Sequence, residues 1–283
     1  MIKTIEELYD FLVDELKKFF DEAKFSKAII GVSGGIDSAL VAAITTDALG
    51  NENVLAVSMP SSNSSVDSVE DAEKLAELLN IEFKKVPISQ IFDMYTIAMK
   101  TYAGSKYNKK GRDITEQNLQ ARIRANILMA FSNKLEALVV NTCNRTEDLL
   151  GYATLYGDAA GAISPLGDIG KMTVYALAEF RNTRGLVIPS NSIDKAPTAE
   201  LASGQTDEED LGAPYSILDP LTKRLDFFGV YKIDENMDLI IDLLRKQIDG
   251  LENYSDDFIR SVYKRMQDNA FKLNQCPPII EVS

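Results

Sequence analysis

The 283-residue sequence contains no histidine, only two cysteines, no long apolar run and fewer basic than acidic side chains. The missing histidine excludes Ser-His-Asp and Cys-His catalysis within the chain, and with them every histidine-ligated metal. Cys143 and Cys276 stand far apart without a C-x-x-C, which speaks against a disulfide framework and against a zinc site. No stretch of about 18 apolar residues and no signal-peptide pattern is visible, so a cytoplasmic protein without a membrane partner is expected. With 30 Lys and Arg against 43 Asp and Glu, the net charge of -13 is a poor match for nucleic acid, whose phosphates need a basic surface. At 45% hydrophobic, the chain is long enough for one large α/β domain, or a domain with an appendage. What is left for chemistry is carboxylates, Lys, Arg, hydroxyls, backbone N–H groups and a hard metal ion.

The densest stretch is residues 29–40, I-I-G-V-S-G-G-I-D-S-A-L. A short β-branched run gives way through Gly34 and Gly35 to an apolar helical pattern that starts near Asp37 and Ser38. Glycines let the backbone approach an anion and adopt positive φ, while the first N–H groups of the following helix point at the ligand. Ser33 and Ser38 can add hydroxyl donors. Asp37 is the exception in such a cradle, because its carboxylate would repel phosphate. It reads either as a helix cap or as a ligand of Mg²⁺ placed between carboxylate and phosphate. Neither Walker A nor the Rossmann fingerprint matches the glycine spacing. S-G-G-I-D-S after a hydrophobic strand resembles the pyrophosphate loop of the ATP pyrophosphatase superfamily, whose members split ATP into AMP and pyrophosphate.

In chain order, residues 4–21 form an amphipathic first helix. Alternating units follow, with strands over 27–32, 54–59 and 81–87 and helices over 37–49, 66–79 and 88–101. This alternation predicts an α/β fold with a doubly wound parallel sheet, flanking helices, and ligands at the carboxyl ends of the strands. Ser61 to Ser65 should cap the next helix, and the basic, glycine-containing 103–112 reads as a mobile loop. A long helix over 114–134 carries Arg122 and Arg124, of which at most one can face a site because i and i+2 point apart. A strand over 137–141 ends at Thr142, where ligands of parallel sheets gather. Glu147 then opens a short helix, either as a first-turn acid favoured by the helix dipole or as a second Mg²⁺ ligand beside Asp37. Lys171 precedes a helix over 172–184 and by itself reads as a first-turn surface lysine. Residues 215–228, 234–247 and 256–272 complete a helical C-terminal region, with Leu239, Ile240, Leu243 and Leu244 expected on one apolar face.

The blocks N-R-T-E-D-L-L-G-Y, T-L-Y-G-D, P-L-G-D-I-G-K, A-P-T-A-E-L, G-Q-T-D-E-E-D-L-G, N-A-F-K and C-P-P occur in the order found in NAD synthetases. From about residue 25 to 278 the chain resembles that family of adenine nucleotide alpha hydrolase-like fold. The resemblance implies one synthetase domain over 1–283: an N-terminal helix over 1–24, an ATP-binding core over 25–190, and a lid loop with C-terminal helices over 191–283. It also implies the reaction: ATP adenylates the carboxylate of deamido-NAD, and ammonia displaces AMP to give NAD. Residue 2 is Ile2 rather than a processed Cys, and no room for an attached glutaminase is seen, so the ammonia-dependent type is expected. The alternatives are another amidating or thiolating enzyme of the superfamily and a nucleotide-binding regulatory protein; paired carboxylates argue for catalysis.

Carried over position by position, Gly31, Val32, Ser33, Gly34, Gly35, Ile36, Asp37 and Ser38 form the ATP loop, joined by Thr142, Lys171 and Thr198. Asp37 and Glu147 bind Mg²⁺, and Asp37 and Lys171 are the catalytic pair. Arg122, Phe271 and Lys272 match deamido-NAD positions, the last often supplied by the partner of a homodimer. Leu155 stands where many ammonia-dependent members have a substrate-contacting lysine, Ala162 where they have an acid, and Phe271 where some have His. Asp158 is expected to compensate. A lid including 203–212 should exclude water from the acyl-adenylate.

Overall fold

The computed structural model describes residues 2–103, 114–198, 200–201, 206–229 and 236–282. Helix α1 (Ile5–Ala23) begins with a capping box, in which Thr4 Oγ1 accepts from the Glu7 N–H at 3.1 Å and Glu7 returns a bond to the Thr4 N–H. Four parallel strands follow: β1 (Ala28–Gly31), β2 (Val54–Ser58), β3 (Glu82–Lys85) and β4 (Leu138–Val139). They lie in the order β3-β2-β1-β4, with Ala28 in register with both Val54 and Leu138. The crossovers are α2 (Ile36–Leu49), α3 (Val66–Leu79), and the pair α4 (Ser89–Ala103) and α5 (Ile114–Leu135). As expected, Ser65 caps α3, its Oγ accepting from the Ser68 N–H at 3.1 Å.

Successive strand residues point to opposite faces of the sheet, and here both faces are covered. Ala28, Ile30, Val54 and Ala56 pack with α1, α2, α3 and the later helix α7 (Lys171–Thr183). Ile29, Leu55 and Val57 pack instead with Ile88 and with Leu119, Ile123 and Ile127 of α5. Because α2 lies between the sheet and α1, it is apolar almost all round, and its small Ala39, Ala42 and Ala43 are fully buried. Strands β3 and β4 are shorter than the periodicity suggests. The Val140 N–H still donates to the Ile29 carbonyl of β1 at 3.0 Å; the Asn141 N–H then donates to the Ile163 carbonyl at 2.9 Å, and Ser164 in turn bridges to Ile279. The C-terminal segment thus returns to the sheet edge.

Helix α6 (Arg145–Leu150) follows β4; α8 (Ser190–Asp194), α9 (Asp207–Leu211), α10 (Tyr215–Phe228), α11 (Met237–Arg245) and α12 (Asp256–Leu273) come after α7. A second core joins α6 to these last helices through Leu150, Leu218, Leu221, Ile241, Leu244, Ile259 and Met266. On α11 the buried stripe is Met237, Ile240, Ile241 and Leu244, the i, i+3, i+4, i+7 set, whereas Leu239 and Leu243 face outward. That corrects the face expected from sequence, which combined residues from two sides of the helix. Among the described residues no helix is long and apolar enough to cross a membrane. Residues 104–112, 203–205 and 234–235, which belong to the expected basic loop, lid and helix, lie outside the described residues.

Candidate active site

The turn from β1 into α2 is held by its own serines. Ser38 Oγ accepts from the Ser33 N–H at 3.2 Å and donates to the Gly35 carbonyl at 3.0 Å, while the Gly35 N–H donates to Ser33 Oγ at 3.2 Å. Gly34 has φ +82°, and a Cβ there would overlap the backbone carbonyl of Ser68 in the first turn of α3. Both conditions require glycine. Gly34→Ala is therefore expected to destabilise the fold by about 2 kcal/mol and to weaken ATP binding more than any other single methyl added to the loop. Denaturant titration and calorimetry with ATP check this; wild-type values in both would contradict the tight seat of the loop on α3.

The loop opens into a cavity at the carboxyl end of the sheet. Gly31, Val32, Ser33, Gly35, Ile36, Asp37 and Ser38 line one side, and Thr142, Glu147, Asp158, Lys171 and Thr198 line others. Met59, Leu128 and Met129 give it an apolar wall.

Three charged side chains from three elements meet at the start of α2. Lys171 Nζ lies 2.5 Å from Asp37 Oδ2 and 3.3 Å from Glu147 Oε1. Asn144, fully buried, fixes both acids: its Nδ2 donates to Asp37 Oδ1 at 3.0 Å, and it forms a capping box with Glu147 at the start of α6. Lys171 is itself only 2% exposed, and its ammonium sits 5.1 Å from the centre of the Tyr215 ring. The surface-lysine reading of the sequence is thereby set aside. Burial alone would lower the Lys171 ammonium, yet Asp37 and Glu147 together hold it above its ordinary value. Burial likewise raises the Glu147 carboxyl, against the lowering effect of Lys171. Asp219 of α10 accepts from the Met172 N–H at 2.6 Å and from Thr146, tying the start of α7 to α6 and so fixing where Lys171 enters.

A second acidic group borders the cavity. Asp207 is 4% exposed, and it accepts from the hydroxyls of Tyr152 at 3.2 Å and Tyr215 at 3.3 Å. Neither this group nor Asn144 figured in the sequence reading. The Asn144 role had a local signal in the N-x-x-E spacing of a capping box; the Asp207 cluster, which joins Tyr152 to a segment 55 positions on, had none.

The remaining site residues divide. Arg124 lines the cavity and donates from Nε to the Met59 carbonyl at 3.0 Å, whereas Arg122 is exposed and donates to the Leu155 carbonyl at 3.1 Å. Asp158 lines the cavity and receives the Thr154 N–H at 2.6 Å. Phe271 is half exposed, and Lys272 donates to the carbonyls of Gly151 and Ala153 at 2.7 and 2.9 Å; both lie outside the cavity wall of a single chain.

In this structure Lys171 and Asn144 engage the carboxylate oxygens of Asp37 and Glu147. As hard oxygen donors, these two acids are the residues that would hold a divalent cation such as Mg²⁺ once Lys171 turned to a phosphate.

Comparison with known proteins gives a consistent result. A family model described as NAD synthase matches residues 5–276. The chain is 47% identical over 221 residues to the glutamine-dependent NAD(+) synthetase of Thermotoga maritima, a match that covers 77% of this chain and 37% of that protein. It therefore spans less than half the length of that relative. Against the NH(3)-dependent NAD(+) synthetase of Fusobacterium nucleatum, identity is 37% over 271 residues, covering 95% of this chain and 93% of the other. The solved NH3-dependent NAD synthetase of Campylobacter jejuni, in complex with the nitrate ion, superposes with a TM-score of 0.70 at 30% identity, covering 99% of this chain and 100% of that one.

Proposed function

Because the chain belongs to the NAD synthase family, we propose that it amidates deamido-NAD to NAD with ATP and ammonia, releasing AMP and pyrophosphate. One observation carries the reading: Asp37, Glu147 and Lys171 converge at the mouth of the glycine loop, inside a single cavity.

In this reading the loop N–H groups and the start of α2 hold the pyrophosphate end of ATP, with Ser33 and Ser38 adding hydroxyls. The apolar wall of Met59, Leu128 and Met129 takes the adenine, and Thr142 and Thr198 bind along the nucleotide. A carboxylate oxygen of the substrate attacks the α-phosphorus, and the bond to pyrophosphate breaks. Lys171 stabilises the charge that accumulates on the phosphorus oxygens and the leaving group. Ammonia then attacks the acyl carbon, loses a proton, and the carbon–oxygen bond to AMP breaks. Asp37 and Glu147 would hold Mg²⁺, which supplies charge neutralisation for the phosphates when bound. No protein nucleophile is needed, which agrees with a chain that lacks histidine.

A homodimer is part of this reading. Helix α4 buries none of its residues, and Met94, Ile97 and Tyr102 are 68%, 60% and 89% exposed. Such an apolar face suits a second copy. Sedimentation at a dimer mass is the check; a monomer at working concentration would remove this part.

The test of the reaction mixes the protein with ATP, Mg²⁺, deamido-NAD and ammonium, beside a reaction with glutamine instead. NAD and AMP formed together with ammonium alone are expected. ATP binding without either product would favour a regulatory nucleotide-binding role.

A further inference from the structure

Residues 195–198 and 200–201 form one wall of the cavity, with Lys195, Pro197, Thr198, Glu200 and Leu201 lining it. It is tied down by side chains from two other elements. Glu200 Oε1 accepts from Ser65 Oγ at 3.0 Å and from Ser68 Oγ at 2.6 Å. Asn63 Nδ2 and Gln120 Nε2 both donate to the Leu201 carbonyl, at 2.9 and 3.1 Å. Lys195 Nζ donates to Ser68 Oγ at 3.0 Å and pairs with Asp71 at 3.2 Å.

The backbone of Glu200 shows that this arrangement is imposed on the segment. Its φ is +48°, a left-handed conformation that L side chains adopt at a cost. The Thr198 hydroxyl accepts the Glu200 N–H at 3.1 Å, and the carboxylate then lands on Ser65 and Ser68, the cap and first turn of α3. A carboxylate is favoured there by the exposed N–H groups and the helix dipole. The other side of the same turn bears the nucleotide loop, because the Ser68 carbonyl is the group against which Gly34 seats. One turn of helix is therefore gripped by Glu200 on one side and carries the glycine loop on the other.

We propose that Glu200 is a positioning residue whose carboxylate latches the wall formed by residues 195–198 and 200–201 onto the first turn of α3, fixing the wall and the nucleotide loop relative to each other. The inference rests on the amidation reading above for its catalytic consequence. With the latch closed, water is kept from the acyl-adenylate until ammonia attacks. With it open, a water oxygen attacks the acyl carbon, the carbon–oxygen bond to AMP breaks, and the carboxylate is regenerated with one ATP consumed and no NAD formed.

The test compares wild type, Glu200→Ala and Glu200→Gln in two measurements. Hydrogen exchange on the ligand-free protein reads the latch directly, and the ratio of AMP to NAD with ammonium as nitrogen source reads its consequence. In Glu200→Ala, exchange across the 195–201 segment should rise by about tenfold, the size of one lost charge-assisted bond, and AMP should exceed NAD. Glu200→Gln keeps a carbonyl oxygen that both serine hydroxyls can reach, and should restore both readouts toward wild type. Should Glu200→Ala fail to fold, the Ser65→Ala/Ser68→Ala pair removes the same bonds from the other side, with the same two results expected. Unchanged exchange in 195–201, or equal AMP and NAD despite raised exchange, would overturn the proposal. If wild type makes no NAD, the amidation reading fails while the exchange measurement still decides whether Glu200 holds the wall.

Discussion

Asp37→Ala is expected to lower NAD formation by about 10³-fold or more while the protein stays folded. Asp37 stands at the first turn of α2, where it receives Asn144 and Lys171 and faces the cavity with its side chain 17% exposed. Removing it takes away one of two carboxylates available to a metal and frees Lys171 to settle on Glu147 alone. The phosphates would then meet a misplaced ammonium and half a cation site. The sheet has little reason to fail, because Asp37 contributes nothing to the apolar clusters that hold β1 and α2. Circular dichroism with AMP and NAD assays separates these effects. Normal AMP release by a folded Asp37→Ala variant would overturn the role given to this carboxylate.

Lys171→Met should act on both stability and activity. The ammonium is buried, and its removal leaves Asp37 and Glu147 facing each other without their cation. Breaking a buried ion pair from one side commonly costs about 3–5 kcal/mol. Here the two carboxylates keep 17% and 14% exposure toward the cavity, so a smaller loss of about 2–3 kcal/mol is expected. Methionine retains much of the aliphatic volume against Tyr215, which confines the effect largely to charge. A divalent cation can replace the missing positive charge, so added Mg²⁺ should raise the melting temperature of the variant more than that of wild type. Activity should stay low even with Mg²⁺, because no cation then reaches the leaving pyrophosphate from α7. A melting temperature equal to wild type in the presence of chelator would show that Lys171 does not balance the two acids.

The elements near the nucleotide were legible in the sequence because their signals are local. The glycines, the serines and the apolar run of residues 29–40 dictate a strand, a turn and a helix within a dozen residues, and the structure forms them as β1, the loop and α2. Position along α5 was harder. The sequence shows that Arg122 and Arg124 diverge, but only the packing of α5 decides that Arg124 turns to the cavity, on one stripe with Ala121, Ala125 and Leu128. Lys171 shows the same limit from the other side: nothing near it in sequence announces that Tyr215, 44 positions on, will cover its ammonium. The latch at Glu200 joins residues more than 130 positions apart, and such pairings leave no periodic trace. Helix α4 was read as an ordinary crossover helix, yet it packs on the core only through residues such as Phe92 and leaves Met94, Ile97 and Tyr102 exposed among the described residues, which a pattern of spacing alone does not reveal.

The central claim, activation of a substrate carboxylate by adenylation in this cavity, is tested most directly with deamido-NAD carrying ¹⁸O in the nicotinate carboxyl group. A carboxylate oxygen that attacks the α-phosphorus leaves with AMP when ammonia displaces it. Mass spectrometry should therefore find one ¹⁸O in the AMP formed alongside each NAD. AMP free of the label, with NAD still produced, would contradict the account.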